Sequence, residues 1–278
     1  MTGYPPAPEP LRTCVLDSHC HLDMKLSPAG MDVPQALAAA ASVGVSRVVQ
    51  IGCDLPGAAW AVDVASEWAA VVAGVALHPN EAPRIAATQG RAALEDAWGQ
   101  IDRLAAHPRV RAIGETGLDH FRTAADGRAV QEESFRRHIA MAKAHGKALV
   151  IHDRDAHEEV LRVLQEEGPP DTVVFHCFSG DAAMAKRCVA AGWVLSFAGT
   201  VTFKNAPDVR EALRVTPVDQ LLVETDAPFL TPAPYRGRPN ASYLIPLTVR
   251  AMAQVKGLGE DELAAAIDAT GTRVFGLF

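Results

Sequence analysis

Eight short runs of β-branched and apolar residues, separated by alanine-rich amphipathic stretches, constrain this chain more than any other feature. They lie at 13–18, 46–51, 71–77, 109–114, 148–152, 172–176, 193–198 and 220–224. Their apolar character is continuous, as in parallel strands covered on both faces. Helices are expected at 33–43, 57–69, 90–106, 128–145, 155–166, 181–191 and 207–214, with two more at 243–256 and 260–269. Strand and helix alternating up to eight strands predict an α/β fold, a single (β/α)8 TIM barrel over 13–278. A doubly wound open sheet has the same periodicity and remains open as an alternative. Residues 1–12, proline-rich at their start, read as a disordered tail without the basic and apolar regions of a signal peptide.

No apolar stretch is long enough to span a bilayer. The net charge of -7 argues against nonspecific wrapping of nucleic acid. It does not argue against a nuclease whose acidic ligands are offset by divalent metals. Five cysteines, scattered and odd in number, suit a reducing cytoplasm.

The polar residues fall at the ends of the expected strands. In Asp17-Ser18-His19-Cys20-His21-Leu22-Asp23, strand alternation points His19 and His21 the same way, a two-point grip on a metal. Asp17 and Asp23 share that parity and would orient the histidines. His78-Pro79-Asn80 ends the third strand, Gly114-Glu115-Thr116-Gly117-Leu118-Asp119 the fourth and His152-Asp153 the fifth. His176 ends the sixth, and Glu224-Thr225-Asp226 the eighth. In a parallel barrel these ends share the face that carries active sites. Four histidines with two or three carboxylates exceed the four positions of one structural zinc. Two divalent ions (Mg, Mn or Zn) sharing a carboxylate fit better. Glu115 is the best bridging candidate, with Gly117 expected to turn the backbone just after it.

The order of these segments resembles the TatD family of metal-dependent deoxyribonucleases, among the amidohydrolase-type barrels. The matching runs are DSHCHLD (17–23), LHPN (77–80), GETGLD (114–119), IHDRDA (151–156), FHCFSG (175–180), TFKNA (202–206), ETDAPFL (224–230) and YRGRPN (235–240). By that resemblance His19, His21, Glu115 and Asp226 would hold one metal, and Glu115, His152 and His176 the other. His78 would lie in the active site without being a permanent ligand. The resemblance implies cleavage of DNA phosphodiester bonds by an exonuclease acting on single-stranded or 3′ ends. Asp226 would double as acceptor of the attacking water's proton, and His78 would give a hydrogen bond or a proton on the leaving side. Two departures bear on substrate preference: Asn80 stands where the family often has histidine or an aromatic residue, and Ala241-Ser242 stand where Glu-Pro is common.

Arg236 and Arg238, in a Gly/Pro-rich loop, and Lys204 and Asn205, after the seventh strand, are candidates for holding neighbouring phosphates. His107, His138, His145 and His157, in or beside helices, are expected to face solvent, and Trp60, Trp68 and Trp98 to join the core. Two other readings stand beside the nuclease. One keeps the barrel and metals but takes a small anionic amide, lactone or phosphotriester. The other is a metal-binding scaffold without turnover, against which the complete ligand set argues.

Overall fold

The computed structural model describes residues 3–24 and 30–278. Its elements alternate: β1 (Val15–Cys20), α1 (Val33–Ser42), β2 (Val45–Gly52), α2 (Leu55–Glu67), β3 (Val71–Val75), α3 (Glu81–Gln89), α4 (Arg91–Ala105) and β4 (Val110–Asp119). They continue with α5 (Arg128–His145), β5 (Ala148–Arg154), α6 (His157–Glu167), β6 (Val173–Phe175), α7 (Ala182–Ala190), β7 (Val194–Phe197), α8 (Pro207–Val215), β8 (Leu221–Val223), α9 (Ile245–Lys256) and α10 (Glu260–Phe275). The strands form one sheet in sequence order, with parallel pairing. This is the (β/α)8 class.

Contacts divide the chain into two compact units, one running through Gln50 and resuming at Cys177–Phe278, the other Ile51–His176. In the first, the chain just past β8 runs beside the end of β1: Asp226 N–H donates to His19 O (2.9 Å) and His21 N–H to Ala227 O (2.8 Å). Leu16, Phe197 and Phe275 are buried there. In the second, β4 and β5 pair from Ala112↔Ala148 to Asp119↔Arg154. Trp98 and Phe135 fill its core, and the Trp98 indole N–H donates to Ser134 Oγ (3.0 Å). Aspartates start several helices by accepting orphan N–H groups, Asp32 from Gln35, Asp54 from Gly57 and Asp181 from Met184.

Several expectations are corrected. β1, β4 and β5 run on past residues 18, 114 and 152, so His19, Glu115 and His152 lie inside strands. A register shift between Ile113 and Thr116 absorbs Gly114, and pairing resumes. Gly117 is therefore not a turn. It sits in β4 at φ +137°, and a Cβ there would lie 2.1 Å from His152 O, so the two strands approach through the missing side chain. Helix α3 goes unforeseen because only Ala82 and Ile85 of it are buried, too few to mark a periodic stripe. Residues 3–12 have no helix or strand; Arg238 donates to Gly3 O and Tyr4 O, Tyr243 to Pro5 O and Arg250 to Glu9 O. Of the tryptophans, Trp98 is buried, whereas Trp60 and Trp68 are half-buried. Among the described residues no helix is long and apolar enough to cross a membrane, and all five cysteines are free.

His138 is the other correction. It is buried, not solvent-facing, because Leu77 and Ser134 satisfy both ring nitrogens: Nδ1–H donates to Ser134 O (2.7 Å) and Nε2 accepts from Leu77 N–H (3.1 Å). Burial lowers its pKa from 6.5 to about 4, overriding the Ser134 bond that favours the charged ring. The unfolded chain takes up this proton near pH 6.5 and the folded chain resists it. The contribution to stability is thus complete above pH 6.5 and is lost as pH falls toward 4, on the order of 3 kcal/mol in all. His138→Gln keeps an acceptor for Leu77 and should flatten the dependence of the urea midpoint on pH across this window. Parallel wild-type and variant curves would contradict this assignment.

Candidate metal centre

The first unit brings His19, His21 and Asp226 together. His19 and His21 are two residues apart where β1 ends, so their rings share a side, with centroids 5.0 Å apart. Asp226 enters from the loop after β8, in the left-handed region at φ +54°, where a non-glycine residue is held by its surroundings. Its Oδ1 lies 3.4 Å from His21 Nε2 and 3.8 Å from His19 Nε2. Ligand atoms on a tetrahedral ion at ~2.1 Å are about 3.4 Å apart, so this set fits a divalent cation.

Asp17 does not orient these imidazoles. It is buried beneath them, accepting from His19 N (3.3 Å), Thr225 N (2.9 Å) and Thr225 Oγ1 (2.5 Å), and so fastens β1 to the segment carrying Asp226. Burial pushes its pKa up to about 6 even though these donors favour the carboxylate. Asp23 accepts from Gln50 Nε2 (2.8 Å), while Gln50 Oε1 takes Leu22 N–H (2.6 Å), which fixes the chain leaving His21. Asn240 donates to Thr225 O (2.9 Å) and Phe229 O (2.6 Å), holding the loop of Asp226 from behind.

The second unit centres on Glu115. Its Oε2 lies 2.9 Å from His176 Nε2, 3.1 Å from His152 Nδ1 and 3.9 Å from His78 Nε2, and Cys53 Sγ is 3.2 Å from Oε1. The facing nitrogens of His152 and His176 are 3.4 Å apart, again a ligand spacing. Burial pushes the Glu115 carboxyl up, but His176, His78 and His152 outweigh it and hold the pKa well below the usual range. Burial also opposes charge on His152, where the Asp119 and Glu115 carboxylates prevail and raise the pKa. His152 Nε2 lies 3.3 Å from Asp119 Oδ2, which leaves Nδ1 turned to Glu115. Burial raises the Asp119 pKa, yet His152, the Arg122 N–H and Asn80 together leave it below the usual range.

His78 differs from the other two histidines. Its Nδ1 accepts the Asn80 N–H (3.2 Å), so the neutral ring carries its proton on Nε2, the atom facing Glu115. Burial lowers its pKa to about 4. A ligand nitrogen must be unprotonated, so His78 is placed to donate rather than to coordinate.

Of the substrate-holding candidates, Lys204 and Asn205 are exposed, and the exposed Arg236 guanidinium lies 3.9 Å from the Phe203 ring centre. Arg238 is turned onto Gly3 and Tyr4. Two residues of the centre have no role in the sequence reading. Asp119 is named there only as part of the polar segment ending the fourth strand, although it shares strand parity with Glu115. Cys53, just past β2, has nothing in its neighbours to distinguish it from the other cysteines.

Gly117 lets β4 approach His152, which generates a test. Gly117→Ala should lower Tm by about 5 °C or more. It should also weaken divalent-metal binding about tenfold or more, as losing support behind a ligand does. Calorimetry of unfolding and of metal binding reads both, and unchanged values would contradict the close approach.

Residues 16–276 match the family model described as TatD related DNase. The "uncharacterized metal-dependent hydrolase TatD" of Mycobacterium tuberculosis is 47% identical over 268 residues, covering 95% of this chain and 98% of that one. The "uncharacterized metal-dependent hydrolase YabD" of Bacillus subtilis is 36% identical, covering 94% and 98%. Among solved structures, the TatD homolog YjjV of Escherichia coli superposes with a TM-score of 0.85 at 25% identity, covering 95% of this chain and 98% of that one.

Proposed function

Because the chain belongs to the TatD family of metal-dependent hydrolases, we propose that it hydrolyses phosphodiester bonds in DNA, as an exonuclease on single-stranded or 3′ ends, with two divalent cations. In this reading His19, His21 and Asp226 would hold one ion, and Glu115, His152 and His176 the other. The observation that carries it is the Glu115 carboxylate, buried against imidazole nitrogens at ligand spacing. Divalent ions bound there would supply the polarisation of a phosphoryl oxygen and the activation of water that phosphodiester hydrolysis needs.

The protein's own groups do the rest. Water attacks phosphorus as the bond to the leaving nucleotide oxygen breaks, and Asp226 accepts the proton of that water. Neutral His78 gives a hydrogen bond from Nε2–H to the developing charge on the phosphate. It does not give up the proton, since imidazolate is too basic, so the leaving oxygen is protonated by solvent. Lys204, Asn205 and Arg236 hold neighbouring phosphates. Arg238 supports their loop through its bonds to Gly3 and Tyr4.

Digestion of 5′- and 3′-labelled single-stranded and duplex DNA with Mg²⁺, Mn²⁺, Zn²⁺ or EDTA tests the proposal. Cleavage that needs a divalent ion and stops with EDTA is expected. Glu115→Gln keeps the shape and removes the charge; it should fall to background activity and lose bound metal while staying folded. Full activity in a folded Glu115→Gln protein would remove Glu115 from the centre. Arg236→Ala should raise KM for DNA several-fold and lower its salt dependence. Arg238→Ala should instead lower Tm, because its donors lie on the chain itself. Equal effects of the two on KM would contradict this division.

A further inference from the structure

Most arginines on the helices of the second unit are paired. Arg91 and Arg137 meet Glu95 and Glu133, and Arg136 and Arg162 meet Glu132 and Glu166. The segment from the end of β4 to the first residue of α5, and the end of β5, differ. Among the described residues, Arg122, Arg128 and Arg154 have no carboxylate within ion-pair distance. Beside them stands an exposed aromatic ring: Phe121 is 63% exposed, and of the three arginines Arg154 packs on it, its guanidinium 4.0 Å from the ring centre. Arg128 reaches the same turn, donating to His120 O (3.3 Å). The nearby acid Asp153 is engaged by His157 (2.8 Å), and Asp126 and Asp155 are exposed.

The position of this cluster follows from register. Asp119 pairs with Arg154 across β4 and β5. Arg154 is two residues past His152 and so points to the same strand face one pleat farther out, while Phe121 is two residues past Asp119. Phe121 itself lies in the turn after β4, and its ring is placed by its contact with Arg154, the residue that pairs with Asp119. An exposed aromatic among unpaired arginines is how proteins grip single-stranded nucleic acid: the ring stacks a base and the guanidinium takes a phosphate. In a chain of net charge -7, such contact has to be local.

We propose that Phe121 and Arg154 form a nucleotide subsite, in which an unpaired base beside the scissile bond stacks on Phe121 and Arg154 binds the adjoining phosphate. The subsite rests on the nuclease reading and assigns to two named residues the contact that would favour unpaired ends. A base held in duplex stacking cannot reach the ring, so the contact distinguishes frayed or single-stranded DNA from paired DNA.

The test is binding of the metal-loaded enzyme to a cleavage-resistant phosphorothioate oligonucleotide, single-stranded or duplex, read by fluorescence anisotropy over a range of salt. Phe121→Ala should weaken single-strand binding about tenfold and affect duplex binding much less, and Phe121→Trp should restore it. Arg154→Ala should weaken single-strand binding and reduce the slope of log K against log salt by about 0.7, one phosphate contact. Wild-type affinity in both alanine variants overturns the subsite while leaving the nuclease reading intact. Equal losses on single strand and duplex also overturn it, since no base is then being stacked. Wild-type enzyme that neither binds nor cuts DNA removes the nuclease reading, and this subsite falls with it.

Discussion

A carboxylate taken out of water must be met by positive charge or by strong donors, and Glu115 is the point where this structure faces that demand. It is buried in β4, and the groups placed around it are three imidazoles and a thiol. Neutral imidazoles offset a buried anion poorly but serve well as ligands. A divalent cation satisfies both sides at once. The architecture around Glu115 follows from this: the register shift that admits Gly114, the glycine that draws β4 against His152, and Asp119 at the far nitrogen of that histidine.

The three-residue set in the first unit comes from simpler geometry. Strand alternation alone places His19 and His21 on one side of β1. Asp226 needs more, because the chain must leave β8, turn through a left-handed residue and return along β1. Buried Asp17 makes this possible by gathering donors from both segments. A residue that looks like a second-rank ligand from its parity is instead the latch that sets the position of the true candidates. Asn240 has a similar duty, so a motif residue near the substrate loop acts through the backbone it holds.

The eight-strand plan and the proposed ligands were legible because both rest on short-range patterns: continuous apolar runs, and polar residues where those runs stop. The end of β4 was not, because two glycines within four residues read as a turn. Only the partner strand shows that pairing continues through them. Helix α3 buries two side chains and leaves almost no periodic trace. His138 looks like a surface histidine until Leu77 and Ser134, distant or unremarkable in sequence, occupy its two nitrogens. Arg238 carries the right chemistry for phosphate, yet the chain's own N-terminal carbonyls take its donors. In each case the deciding partner lies elsewhere in the chain or is not distinguished by its residue type.

The central claim is that these two sets of side chains are metal ligands. Anomalous diffraction from crystals grown with Mn²⁺ addresses it most directly. Two peaks are predicted, one at coordination distance, about 2.2 Å, from the facing atoms of His19, His21 and Asp226, the other at the same distance from Glu115, His152 and His176. Manganese bound elsewhere, or neither set occupied at saturating metal, would contradict the account.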